Sequence, residues 1–337
     1  MQPEQPITLE SFGHLRITDT TDIPKPIPVI TINDEIICTE CNMTTISGAS
    51  KSGKSAFTSI IMAGAISDDG DIDGLEGLKV KPNKEGKAVI HFDTEQAKHK
   101  HQYNLKSTLR RAAFATCPDY FLSYNIRALA IETYQETTLK ICDTANVEFK
   151  GIHLIVIDGI ADYIADVNET IPANAIVKFF EDLAIKYNCP LITVMHTNPN
   201  SDKERGHLGS QCQRKSESLL SIQTKDGISF MEAKLLRMAS PTDVPQLQFV
   251  YSKDKGYHVG MGVKPSDKEI KQEKHLADLK DITSALFGCQ QSYIYSEAVK
   301  EIEEYSGKSN TTAKNILKEL LQLTLIVKHD DNRYRIG

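Results

Sequence analysis

The chain has 337 residues, 40% of them hydrophobic and 25% charged, which is ordinary for a soluble globular protein with room for one large domain and a small one. Its net charge is −6 and its pI about 6.0. That excludes a protein that coats nucleic acid over its whole surface, so any DNA contact must be local.

Residues 1–7 are polar and lack the basic start and apolar middle of a secretory signal. No apolar run approaches the roughly 18 residues that span a bilayer. Seven cysteines, at 38, 41, 117, 142, 189, 212 and 289, follow no disulfide framework. That pattern suits free thiols in a reducing compartment, and the expectation is a cytoplasmic protein without membrane contact. Cys38 and Cys41 form a lone C-x-x-C; without two further ligands at finger spacing, a structural role is expected.

Five prolines punctuate residues 1–35, which read as an extended arm across the surface. A short buried strand is expected over 43–47, a helix over 54–66, a loop over 67–77, and a second strand over 88–92. A basic helix over 96–113, a weak strand over 121–124 and a long helix over 131–148 follow. Residues 154–157 are a continuous Ile/Val-rich run, the mark of a strand buried on both faces of a parallel sheet. A helix over 173–186, a buried strand over 190–195 and a long polar loop over 197–215 come next. Segments 217–224, 228–236, 247–251 and 256–259 read as β structure with hairpin turns. The expected fold is α/β, with a mostly parallel central sheet extended by hairpins. The charged stretch 263–275 reads as a linker. Helices over 276–287, 296–305 and 311–323, the third capped by Ser309-Asn310, precede strands over 325–329 and 333–336. Three helices and a hairpin are a winged helix-turn-helix pattern.

The segment Gly48-Ala49-Ser50-Lys51-Ser52-Gly53-Lys54-Ser55 fits G-x-x-x-x-G-K-[ST] in full and sits between an expected strand and helix; Ala56 continues it. Glycines let the backbone curl so that N–H groups face phosphate oxygens, and the next helix adds its positive N-terminal end. Lys54 is a cation for the β- and γ-phosphates, and the Ser55 hydroxyl a ligand for Mg²⁺. The expected ligands are ATP and Mg²⁺. The apolar strand ending at Asp158 supplies the acidic partner of the metal. Gly159 follows it rather than Glu, so the base that orients water must come from elsewhere. Glu95, just after the 88–92 strand, is the leading candidate, with Asp93 its rival. His196 ends another buried strand and could contact the γ-phosphate, or be an ordinary histidine at a strand end.

These residues, with DTEQ, LIVIDG and LITVMHTN followed by RGHLGS, resemble the RecA-like P-loop ATPases, and within them the RepA-type hexameric helicases of plasmids and mobile elements. The resemblance covers roughly residues 28–260. It implies an ATPase domain (here 36–262), a homo-oligomer, with a hexamer as one form, and DNA as partner. It makes Glu95 the catalytic glutamate and His196 the phosphate sensor. It implies a DNA-facing loop over 198–215, where Lys203, Arg205, His207, Arg214 and Lys215 cluster. It also puts Lys234 and Arg237 where relatives send cations into a neighbour's site; ordinary exposed strand charges are the alternative. The chain departs from the pattern at Cys41, where a turn glycine is usual, at Ser50, Lys51 and Ser52, and in carrying the 276–337 tail.

The basic helix (Lys98, Lys100, Lys106, Arg110 and Arg111, with His99 and His101) is either a DNA contact or a solvated face. With no Trp in the chain, a stacking platform for single strands is poorly supported. The tail from 265 carries 11 Lys/Arg against 12 Asp/Glu, a net of −1. Its third helix offers Lys314 and Lys318 to a groove, and its hairpin Arg333 and Arg335 to a backbone. A protein partner for the tail is an equal alternative. Two functions therefore stand open: a DNA-acting motor, or a slow ATP-gated switch that binds DNA or a protein through its tail. A small-molecule kinase is a weaker third.

Overall fold

Nine strands form the central sheet of the computed structural model, which describes residues 8–70, 75, 77–198, 201, 203–264, 267–289 and 291–337. Parts of the expected arm, of the 67–77 and 198–215 loops and of the linker lie outside the described residues.

In chain order, β1 (Pro28–Ile32), β2 (Glu35–Thr39) and β3 (Met43–Gly48) lead into α1 (Lys54–Ile66). Then come β4 (Leu78–Val80), β5 (Ala88–Asp93), α2 (Lys98–Arg111), β6 (Phe121–Asn125), α3 (Ile131–Glu148) and β7 (Ile152–Asp158). After a 3₁₀ turn at Ile160–Tyr163 follow α4 (Thr170–Tyr187), β8 (Leu191–His196), α5 (Gly206–Lys215), β9 (Ser218–Lys225), β10 (Ile228–Leu236), β11 (Gln246–Ser252) and β12 (Tyr257–Lys264). The chain closes with α6 (Asp267–Cys289), α7 (Tyr295–Ser306), α8 (Asn310–Gln322), β13 (Ile326–Lys328) and β14 (Tyr334–Ile336).

The sheet runs β12-β11-β10-β9-β3-β8-β7-β5-β6. The six strands from β9 to β6 are mutually parallel, and β10 to β12 add antiparallel hairpins at one edge. The inner parallel strands β3, β5, β7 and β8 are buried along nearly their whole length because both faces are covered. One face meets α1 and α2 through Phe57, Ile60, Ile61 and Leu109; the other meets α3 and α4 through Tyr134, Ile176 and Phe180. Thr45, buried in this interior, shares hydroxyl bonds with Thr193 (2.9 Å) and Ser216 (2.7 Å).

Two expectations need correction. The 1–35 arm ends early: Leu9–Leu15 form an exposed 3₁₀ turn, and residues 28–39 are a hairpin. Asn33 and Asp34, both at positive φ (49° and 65°), make its two-residue turn, and β4 completes a small sheet over α1. The polar loop over 197–215 becomes helix α5 from Gly206. Gly206 and Gly209 argue against a helix by propensity. Leu208 and Cys212, one turn apart and fully buried, pull it into the α4-side core, and Gly209 packs so closely on Glu204 that a Cβ would lie 2.5 Å from that residue's Cβ.

Past Lys264, α6 is continuous from Asp267, so most of the expected linker is helical. Helices α6 to α8 and the β13–β14 hairpin enclose a core of their own, including Leu279, Ile302, Leu317 and Leu320. Ser309 stands at the N-cap of α8 without a side-chain bond to the helix backbone. Among the described residues no helix is long and apolar enough to cross a membrane.

The antiparallel edge is locked to the helix after the phosphate loop by Phe249 on β11, which stacks on Phe57 of α1 with ring centroids 5.9 Å apart, both fully buried. Phe249→Ala should lower stability by about 3–5 kcal/mol, read as a shift of the denaturant midpoint. The exposed Val147→Ala should change stability by less than about 0.5 kcal/mol.

Candidate active site

Parallel register brings four chain positions to one end of the sheet. Gly48 is level with His196, and Asp93 is level with Asp158. The carboxyl ends of β3, β8, β7 and β5 thus open on a common crevice, where ligands of open α/β sheets bind.

The loop between β3 and α1 is held in a tight curl. Lys51 and Gly53 both have positive φ (64° and 101°). A glycine is required at 53: a Cβ there would lie 2.6 Å from Ser229 Oγ. Lys51 carries the left-handed strain that a glycine would avoid. The hydroxyls of Thr224 and Ser229 donate to the Ser52 carbonyl at 2.7 and 2.9 Å, tying the loop to β9 and β10.

Lys54 folds back over the loop. Its Nζ donates to the carbonyls of Gly48 (2.9 Å) and Ala49 (2.7 Å) and lies 3.2 Å from His196 Nδ1. Burial lowers its pKa, while Glu95 and Asp158 raise it. His196 Nε2 lies 3.3 Å from Glu95 Oε2 and 3.2 Å from Oε1, so one imidazole bridges the lysine and the glutamate. The His196 bond holds the Glu95 carboxyl below the usual carboxylate range, against a raising effect of burial. Ser50 Oγ stands 3.5 Å from the same imidazole.

Ser55 Oγ donates to Asp158 Oδ2 at 3.0 Å. Burial, reinforced by Asp93 and Glu95, pushes the Asp158 carboxyl up to about 7. A buried carboxylate beside two others and one hydroxyl is a place where a cation relieves repulsion. Among the described residues no group of three or more His, Cys, Asp or Glu could hold a metal by itself. One hydroxyl and one carboxylate fit Mg²⁺, which keeps water and takes further oxygens from a substrate phosphate.

Asp93 is not in the crevice. It is 1% exposed, and its Oδ1 accepts the backbone N–H groups of Glu95 (3.0 Å) and Gln96 (2.7 Å). Thr94 turns the other way, its hydroxyl donating toward the carbonyls of Asp158 and Gly159 and the Asp162 carboxylate. This explains the residue after Asp158. Gly159 has φ +109°, and a Cβ on it would lie 2.0 Å from Thr94 Oγ1 and 3.0 Å from Glu95 Cγ. A glutamate there would displace the turn that carries Glu95.

The cavity over the phosphate loop, about 780 Å³, continues between α2 and the β11–β12 hairpin. Ser50, Lys51, Gly53, Lys54, Ser55, Ala56, Glu95, Asp158 and His196 line it, as do Tyr103, Asn104, Arg111, Tyr251, Tyr257 and His258, which the sequence reading did not single out as nucleotide contacts. Tyr103 and Tyr251 hydroxyls meet at 2.6 Å, and the Arg111 guanidinium lies over the Tyr257 ring at 4.7 Å. The basic helix is therefore no plain solvated face. Lys100 and Arg111 line the cavity, Arg110 donates to the Gly256 carbonyl, and His101 is buried.

The remaining expected site residues lie away from this cavity. Lys234 pairs with Glu204 at 3.1 Å, and Glu204 also accepts from Ser47. Arg237 donates to the carbonyls of Arg214, Lys215 and Ser216, closing the end of α5. Lys203 and Arg205 are exposed near the carboxyl end of β8; Arg214 bonds Gln211 and Lys215 pairs with Glu181. Lys314 and Lys318 are exposed on α8. Cys38 is buried and Cys41 Sγ donates to Asn188, both as free thiols.

The profile of a family described as AAA domain matches residues 18–202, more than half of the chain. The chain belongs to the AAA domain family. It is a P-loop ATPase domain of RecA type, and nucleotide binding with Mg²⁺ goes with that family. The match reaches from the exposed N-terminal segment through the phosphate loop, Glu95, Asp158 and His196. Among curated proteins none matches the chain.

In this ATPase domain the low pKa of Glu95 depends first on His196. In His196→Ala burial would be left as the main influence, so the Glu95 pKa should rise, to or above the ordinary carboxylate value. A carboxyl-carbon NMR titration of the nucleotide-free protein would show the midpoint moving to higher pH; an unmoved midpoint would refute the assignment.

Proposed function

We propose that the chain is an ATP-hydrolysing, DNA-acting motor or remodeller of the RepA-type helicase branch, encoded by a mobile element or plasmid and working as a homo-oligomer. One observation carries the hydrolytic part: Glu95, His196 and Lys54 converge over the phosphate loop, in the nucleotide-sized cavity.

Each residue has a definable task. Lys54 exchanges its two carbonyl partners and His196 for β- and γ-phosphate oxygens. The N–H groups of the curled loop and of the first turn of α1 receive the remaining phosphate charge. Ser55 and Asp158 would hold Mg²⁺, which would supply positive charge to neutralise the phosphates. Glu95, ionised at neutral pH, accepts a hydrogen bond from the attacking water and orients it toward the γ-phosphorus. His196 Nε2 keeps that carboxylate aimed, and its Nδ1, released by Lys54, faces the phosphate. The nucleobase lies toward Tyr103, Asn104, Arg111 and Tyr257, between α2 and the β11–β12 hairpin. Lys203 and Arg205, a few residues beyond His196, are the groups through which phosphate state reaches DNA.

A second reading has support of its own. Helices α6 to α8 and their hairpin have a separate core and present Lys314 and Lys318 on one exposed helix. We read this tail as a winged helix that docks on DNA or a protein, with slow turnover of the ATPase domain as the switch.

ATP hydrolysis measured without DNA and with single- and double-stranded DNA separates the two, alongside mass measurement with nucleotide present. The motor reading expects DNA-stimulated turnover by ring-sized assemblies. Weak turnover indifferent to DNA, by a monomer or dimer, favours the switch. Lys54→Ala should lose detectable hydrolysis under either reading, and full turnover in that variant would sink both.

A further inference from the structure

We infer that Asp93 and Asn125 are positioning residues that hold the Glu95 turn in its working geometry. The inference rests on the reading of Glu95 as the group that orients water.

Glu95 lies on a three-residue turn, Thr94 to Gln96, with no helix or strand of its own to fix it. The turn is clamped from three directions. On the β7 side, the Thr94 N–H donates to the Asp158 carbonyl at 3.1 Å. From below, Asp93 Oδ1 receives the N–H groups of Glu95 and Gln96 at 3.0 and 2.7 Å. From the β6 side, Asn125 Nδ2 donates to the Gln96 carbonyl at 2.8 Å. Asp93 and Asn125 are level with one another on neighbouring parallel strands. Both side chains also face one imidazole: His101 Nδ1 lies 3.4 Å from Asp93 Oδ2 and 3.2 Å from Asn125 Nδ2. That ring is fixed at its other nitrogen, His101 Nε2 standing 2.7 Å from Ser123 Oγ, which is 2.9 Å from His91 Nδ1. A hydrogen-bonded chain from α2 and β6 thus ends at the peptide groups of Glu95 and Gln96. Such a support matters because misplacing a reacting group by about 1 Å costs on the order of 100-fold in rate.

The test compares Asp93→Ala, Asp93→Asn, Asn125→Ala and Glu95→Gln, each alone, and the alanine variants again in the Glu95→Gln background. Steady-state turnover gives kcat, and a fluorescent ATP analogue gives nucleotide affinity. Asp93→Ala and Asn125→Ala should lose roughly 10- to 100-fold in kcat with affinity changed by less than about threefold. Asp93→Asn keeps an oxygen acceptor at the same place and should restore most of the turnover. In the Glu95→Gln background neither alanine variant should lower the residual rate further, since residues acting as a unit are not additive. Should Asp93→Ala fail to fold, Asn125→Ala carries the test, since it is only half-buried at the end of its strand. Unchanged kcat in Asn125→Ala, or a full further loss in the Glu95→Gln background, would overturn the positioning role while Glu95 keeps its own. Wild-type turnover in Glu95→Gln itself would overturn the reading of Glu95 and this inference with it.

Discussion

An ammonium group taken out of water needs oxygen around it. Lys54 is only 7% exposed, and its oxygens are two carbonyls of its own loop, with an imidazole as the third partner. Those bonds hold the desolvated positive charge against the curled loop. Phosphate oxygens are better partners than carbonyls, because both members of the new pair are charged. The site is therefore a cradle already closed around a cation, and exchange of those partners for phosphate oxygens is the entry route we propose for ATP. Everything nearby follows from where that cation sits. His196 is within reach because β8 pairs with β3 in parallel register, and Glu95 is within reach of His196 because the end of β5 is level with the end of β7.

The same packing decides which carboxylate does what. Asp93, Glu95 and Asp158 are close enough to perturb one another, yet their surroundings differ. Asp93 is consumed by backbone N–H groups, Asp158 is buried against Ser55, and Glu95 alone faces both His196 and the open crevice. Three similar groups thus sit in three different environments, the condition for dividing tasks among them. Gly159 is the geometric condition for this arrangement, since only a residue without a side chain lets Thr94 and Glu95 approach β7 so closely.

Much of the site was legible in the sequence because its cues are local. The glycine and lysine spacing of the phosphate loop, and apolar strands ending in Asp158 and His196, are patterns within ten residues. The helices at Lys54–Ile66 and Ile131–Glu148 matched their expected bounds for the same reason. What was not legible depends on partners far away in the chain. Asn125 and His101 carry no motif, and they meet the Glu95 turn only once β5, β6 and α2 are assembled. The roles of Tyr251 and Tyr257 as cavity wall need the antiparallel edge to fold back over α2. Helix α5 reads as a loop by composition and is made a helix by the burial of Leu208 and Cys212. The β1–β2 hairpin hid behind the prolines before it, although Asn33-Asp34 is a recognisable turn pair.

On this reading, ATP takes Lys54 away from His196. Histidine-ring nitrogen NMR, recorded for His196 with and without a non-hydrolysable MgATP analogue, tests this directly. The Nδ1 signal should shift on binding as the lysine bond is lost, and Lys54→Ala should lack the lysine-bonded Nδ1 signal without any nucleotide. A bound analogue that leaves the His196 Nδ1 signal of the nucleotide-free protein in place would contradict it.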